Sequence, residues 1–206
     1  SNLGVVELTI ALYYVFESPK DKIIWDVGHQ TYPHKLLTGR YAQFSTIRKH
    51  NGLSGFPKRK ESVHDIFEVG HSSTSISASL GQEISRKLLN RSGNTICVIG
   101  DGAMTAGMAY EALNHMSELK SNVILVLNDN SMSIGPNTGG LSRHLDRLRT
   151  AKSYNNLKLI IKKALNRDFS EKNLFYRFLV KGRDFIKFLF LGSVFFEELG
   201  IKYLGP

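Results

Sequence analysis

Two short polar clusters close successive apolar runs in this 206-residue chain. Gly100-Asp101-Gly102 follows Thr95 to Ile99, and Asn128-Asp129-Asn130 follows Val123 to Leu127. A helix-length interval separates them. If both runs are parallel strands, Asp101 and Asn130 meet at the carboxyl edge of one sheet. A carboxylate, an amide oxygen and a nearby backbone carbonyl make half of a Mg²⁺ shell; such a shell wants about six oxygens and takes the rest from phosphate and water. Gly100 and Gly102 are expected to let the backbone turn sharply beside a ligand. Amides opening the next helix would then face phosphate oxygens. The competing reading is an ordinary strand–turn–helix in which Asp101 caps the helix.

Two histidines stand just beyond a glycine after other apolar runs. His29 follows Asp26-Val27-Gly28, and His71 follows Val69-Gly70. Each alone reads more readily as a hydrogen-bonded structural histidine than as a ligand contact. Their shared placement makes both candidates for a ligand edge. His34, His50, His64, His115 and His144 show no metal-ligand spacing. Met104, Met108 and Met116 read as core or cleft wall, and Cys97 as a small buried hydrophobe. Lys35 and Arg40 read as surface or structural residues.

The elements that must position these groups follow from periodicity. Residues 3–16 are apolar on nearly every side, with Leu3, Val6, Ile10 and Tyr13 at helical spacing, and read as a buried helix. Ile23 to Trp25, Ile66 to Val69, Thr95 to Ile99 and Val123 to Leu127 read as four strands. They are continuous Ile, Val and Leu runs, as expected when both faces of a sheet are covered. Ile76, Leu80, Ile84 and Leu88 mark a helix. Met104, Met108, Ala112 and Met116 mark another, ending near Leu119. Residues 31–57 form a long polar connection, a length that is usually functional. The fold class is therefore α/β: an open, mostly parallel sheet with helices on both faces. The expected divisions are an α/β core over 1–140, a basic helical excursion over 141–192, and a return to the core over 193–206.

Composition narrows the function classes. Formal net charge is +9. Residues 143–187 hold 13 Lys and Arg against 4 Asp and Glu, so this segment carries the whole surplus. A solvated helical face is the plain reading. Nucleic-acid binding is not expected, because no recognition motif or basic-aromatic sheet face accompanies the charge. No apolar run reaches the roughly 20 residues that span a bilayer, and Ser1 to Phe16 lacks the features of a signal peptide. One cysteine allows no internal disulfide, which fits a cytoplasmic protein.

Longer stretches carry a family resemblance. Gly-Asp-Gly followed at this distance by Asn-Asp-Asn resembles the metal–diphosphate motif of thiamine-diphosphate enzymes. Trp25 to Gln30, Tyr32 to Lys35, Thr38 to Arg40, Val69 to Ser75 and Val98 to Gly107 resemble the deoxyxylulose-phosphate synthases, a transketolase-like family. The resemblance covers nearly the whole chain and is weakest over 150–192. It implies Mg²⁺ held by Asp101, Asn130 and the Met132 backbone oxygen. It also implies thiamine diphosphate held by Gly102 and Ala103 amides and by Asn130, with Gly70, His71 and Ser72 lining its cleft. His29 would contact cofactor and substrate and act in catalysis. The family reaction condenses pyruvate with D-glyceraldehyde 3-phosphate, releases CO₂ and gives 1-deoxy-D-xylulose 5-phosphate, a precursor of isoprenoids, thiamine and pyridoxal. The resemblance further implies a homodimer and a pyrimidine-binding domain that this chain lacks. The chain is accordingly expected to be incomplete at both ends and inactive alone, with 141–192 covering the cleft. Two other readings stand beside this one: another transketolase-like thiamine-diphosphate enzyme, or a non-catalytic anion-binding module.

Overall fold

A computed structural model describes residues 2–129 and 194–204. Chain contacts divide the protein after residue 136. In the first unit a 3₁₀ turn over Asn2–Val5 runs into helix α1, Val6–Val15. Strand β1 is Lys22–Trp25, and the short helix α2 is Tyr32–Lys35. Helix α3 is Ser75–Leu88, strand β2 Thr95–Gly100, helix α4 Gly107–Leu119 and strand β3 Ile124–Asn128. In the second unit the described residues contain helix α5, Val194–Glu198, followed by Tyr203 stacked on Phe196.

The sheet is parallel throughout, in the order β1-β2-β3. Strands β1 and β2 bury both faces, while β3 at the edge is half-buried. Ile23, Trp25, Ile96 and Val98 pack with Leu12, Leu8 and Phe16 of the α1 side. On the other face Cys97 meets the Ser75 hydroxyl at the start of α3, with Sγ and Oγ 3.3 Å apart. Helices therefore cover both faces, as the uninterrupted apolar strands require.

Four expectations need correction. Ile66 to Val69 forms no strand; among the described residues the sheet has three. The run is only four residues long, and acidic side chains anchor it locally instead of a ladder. Asp65 is buried in an ionic cluster, and Glu68 accepts from the Arg59 amide at 2.8 Å. Helix α1 is not buried all round. Its inner face is Val5, Thr9 and Leu12, whereas Leu3 and Ile10 point outward. The chosen stripe lies one residue off the buried one. In α3 the buried face is Ile76, Leu80 and Glu83, while Ile84 and Leu88 are exposed. Four-residue steps overshoot a 3.6-residue turn by about 40° each, so a strict i+4 row winds off the core. The same drift exposes Met108 of α4 and buries Ala109, Ala112, Leu113 and Met116.

The 31–57 connection is structured. After α2 the helix continues through Leu36–Arg40, broken by Gly39 at φ +89°. A 3₁₀ turn follows over Phe44–Thr46. The order comes from a buried cluster. Lys35 and His34 have no exposed surface, and Arg40 and Asp65 have almost none. Asp65 takes a bidentate pair from Arg40 at 2.6 and 2.9 Å and a bond from His34 Nε2 at 2.7 Å. Lys35 Nζ donates to Glu61 at 2.5 Å. Lys35 and Arg40 are structural, as expected, but interior and not on the surface.

Candidate active site

The carboxyl ends of β1 and β2 carry His29, Asp101, Gly102 and Ala103, four of the residues that the sequence singled out. Asp101 is buried immediately after β2, and its amide donates to the Asn128 carbonyl at 3.3 Å. The clusters ending β2 and β3 are thus side by side. Asn130 and Met132, the other expected metal ligands, lie outside the described residues, as does the 141–192 excursion.

Gly102 and Ala103 open a single 3₁₀ turn, Ala103–Thr105, before α4 starts at Gly107. Their amides therefore belong to a tight turn, not to the first turn of the long helix. Gly102 has φ −62°, and Gly100 is not left-handed either. The expected glycine-only turn is absent there. It occurs after β1 instead. Val27 and Gly28 have φ +58° and +84°. A Cβ on Gly28 would come within 2.4 Å of Pro57 Cδ, so only glycine fits.

That turn presents His29. The ring is exposed, and the partial loss of water around it pushes its pKa below the ordinary histidine value. The imidazole is then neutral near pH 7, with one nitrogen able to accept a proton. The backbone from His29 to Tyr32 is held in place. Asn2 Nδ2 donates to the His29 carbonyl and Asn2 Oδ1 accepts from the Tyr32 amide, both at 3.0 Å.

Two residues that the sequence reading missed tie these pieces together. Asp26 is buried at the end of β1, where its carboxylate accepts from the Ser73 amide at 2.9 Å and the Ser75 amide at 3.2 Å. It also accepts from the Ser75 hydroxyl at 2.7 Å. A carboxylate receiving the first amides of α3 is favoured by the unpaired donors and dipole there. Ser73, at φ +71°, donates its hydroxyl to the Ala103 carbonyl at 2.7 Å. The segment holding Gly70, His71 and Ser72 is thereby tied at Ser73 to the turn that follows Asp101. Gly70 and His71 are exposed, and His71 Nδ1 lies 2.7 Å from the Ser72 carbonyl. The polar type of Asp26 at a strand end was the available signal. Its partners 47 and 49 residues away were not.

His29, Asp101, Gly102, Ala103 and the 70–72 segment share this edge of the sheet. Asp101 contributes a hard oxygen donor, suited to Mg²⁺ and poorly suited to softer metals. Among the described residues, no cluster of three or more His, Cys, Asp or Glu could hold a metal alone. A cation here needs ligands beyond one carboxylate, which fits an ion shared with a phosphate.

A sequence model of the family described as 1-deoxy-D-xylulose-5-phosphate synthase matches residues 1–206. A protein of that name from Listeria welshimeri is 54% identical over 205 residues, covering 100% of this chain and 32% of its own length. Another, from Halothermothrix orenii, is 55% identical over 206 residues, again covering 32% of its own length. This chain spans about a third of the length of the curated relatives it matches. Transketolase from Leishmania mexicana superposes with a TM-score of 0.51 at 20% identity, over 55% of this chain and 20% of that one. At that identity the likeness is one of fold. No described helix is long and apolar enough to cross a membrane.

Proposed function

The chain belongs to the 1-deoxy-D-xylulose-5-phosphate synthase family, and from that premise we propose that it forms the diphosphate-binding part of a thiamine-diphosphate transferase. The reaction condenses pyruvate with D-glyceraldehyde 3-phosphate, with loss of CO₂, to give 1-deoxy-D-xylulose 5-phosphate. The observation that carries this reading is the fastening of three strand-end segments into one edge around buried Asp101.

In this reading Asp101 holds Mg²⁺ together with Asn130 and the Met132 carbonyl. The Gly102 and Ala103 amides and the Asn130 side chain meet the diphosphate, while Gly70, His71 and Ser72 line the cleft. The cofactor, when bound, supplies the nucleophilic carbon for pyruvate and a sink for the electrons released with CO₂. The protein supplies position and proton control. His29, neutral near pH 7, hydrogen-bonds substrate oxygens and moves a proton to or from them. The complete enzyme is a homodimer containing a further, pyrimidine-binding domain, and the basic 141–192 segment covers the cleft. The present chain by itself makes no product.

The test is thermal unfolding of a polypeptide of the relatives' full length that contains this chain, with thiamine diphosphate, with and without Mg²⁺. Ligand at 100 times Kd stabilises by about 2.7 kcal/mol when it binds only the folded state. The shift is expected to need both cofactor and metal and to vanish in Asp101→Ala. A full shift in that variant, or one independent of metal, would refute the assignment. His29→Ala in the same polypeptide is expected to lower kcat by about 10²–10⁴-fold, the usual worth of a positioned acid–base group.

A further inference from the structure

We propose that Gln30 is a positioning residue: its side chain latches the turn bearing His29 to the end of β3, whose backbone in turn holds the Asp101 amide. The proposal rests on the functional reading above and adds a residue to it. Strands β1 and β3 are not neighbours, because β2 lies between them. Neighbouring strands stand about 4.8 Å apart, so the ends of β1 and β3 are separated by roughly 9.6 Å. No backbone ladder joins them. Gln30 lies five residues beyond Trp25, the end of β1. Its Oε1 nevertheless accepts from Asn128 Nδ2, on the last residue of β3, at 3.3 Å. The bond therefore bridges β1 and β3 across the end of β2, where Asp101 begins.

Asn128 is held on two sides. Its carbonyl accepts from the Asp101 amide, and its side chain reaches Gln30. His29 is the residue before Gln30, and Asn130 is two residues after Asn128. A displacement of the β3 end is thus passed to the His29 turn through this side-chain pair, beside the separate link from Asp26 through Ser73 to Ala103. Asn2 holds the His29 turn from the opposite direction, through His29 and Tyr32. Its bonds go to His29 and Tyr32, so it anchors the turn without coupling it to the Asp101 loop. Gln30 does not touch the reacting atoms in this scheme; it acts by keeping His29 in register with the metal loop. That predicts an effect on the chemical step and little effect on substrate affinity.

The experiment is a double-mutant cycle in the full-length polypeptide, using Gln30→Met and Asn128→Leu, which remove the bond while keeping side-chain bulk. Each single change is expected to lower kcat about tenfold, with KM for pyruvate within twofold and the thermal midpoint nearly unchanged. The double variant is expected to be no worse than either single one, since the same bond is lost. Multiplying losses, or a raised KM with unchanged kcat, would overturn the latch. So would unaltered kcat in Gln30→Met while His29→Ala and Asp101→Ala are inactive; the site reading would then stand and the latch would not. Full activity of His29→Ala and Asp101→Ala would remove both. If Asn128→Leu does not fold, Gln30→Met and Gln30→Ala carry the kcat-against-KM comparison on their own.

Discussion

Both oxygens of Asp65 are engaged. Oδ1 accepts from His34 Nε2 and one Arg40 nitrogen, and Oδ2 from the other Arg40 nitrogen and the Lys58 amide. Burial opposes its ionisation, but these hydrogen bonds, from His34 and Arg40 first, prevail and hold the carboxyl well below its ordinary value. His34 behaves differently: burial outweighs the pull of Asp65 and pushes its pKa down. A neutral ring fits the network, with Nε2–H donating to Asp65 and Nδ1 accepting from the Tyr13 hydroxyl at 2.6 Å. Asp65→Ala would take the bidentate partner from buried Arg40, leaving Glu61 at 3.6 Å as its nearest carboxylate while Lys35 keeps its own bond to Glu61, and loss of about 3–5 kcal/mol is expected in urea unfolding. The pH dependence has a fixed sign. Both groups have folded pKa values below their unfolded ones, so the folded chain holds fewer protons and acid destabilises it. The His34 contribution is complete above 6.5 and is lost as pH falls below it; the Asp65 contribution is lost below 3.8. Urea midpoints measured from pH 8 to 3 should fall in those two windows, and His34→Gln should flatten the upper one. None of this cluster was legible from spacing. Its members lie 25 and 31 residues apart in an irregular connection. Asp101 and His29 were legible because a strand end fixes where its next residues go.

At the scale of elements, short strands and helix faces divide what sequence could show from what it could not. The runs at 23–25, 95–99 and 123–127 became strands because neighbouring runs could pair with them in parallel register. The run at 66–69 carries Glu68 among three apolar residues, and ladder formation also depends on a partner, which a single run does not encode. Helix α3 was located correctly, but its buried stripe follows Ile76, Leu80 and Glu83 because a straight helix drifts against a four-residue row. This difference is measurable. Leu80→Ala is expected to cost about 2–5 kcal/mol as a core truncation. Leu88→Ala, at 77% exposure, should stay within about 0.5 kcal/mol. Equal costs for the two would restore the i+4 stripe. The start of α3 is also testable, because Asp26 alone serves the Ser73 and Ser75 amides. Asp26→Ala leaves buried donors without that acceptor and is expected to cost about 1–3 kcal/mol. It should also speed hydrogen exchange at Ser73 and Ser75 ahead of the rest of α3.

Across the molecule, apolar side chains face outward at several places among the described residues of the first unit, and two of them matter for association. Helix α1 is apolar on nearly all sides, yet Leu3, Ile10, Tyr14 and Val15 are exposed, Tyr14 at 91%. A helix of that character is ordinarily covered all round. A second site is a groove of about 230 Å³ between α3 and the end of α4, lined by Ile84, Leu88 and Leu119 with Glu83 and Lys87 beside them. Contiguous apolar patches favour association, whereas a net charge of +9 opposes it between copies of the chain. Salt separates the two effects. The Debye length shrinks from about 10 Å at 0.1 M to about 3 Å at 1 M, which removes repulsion while leaving apolar contact intact. The 206-residue chain is therefore expected to sediment as larger species at 1 M salt than at 0.1 M. The Ile10→Glu/Tyr14→Glu variant should remain small at both. Association that weakens with salt would instead mean that charged groups hold the copies together, and the outer face of α1 would have no part in it.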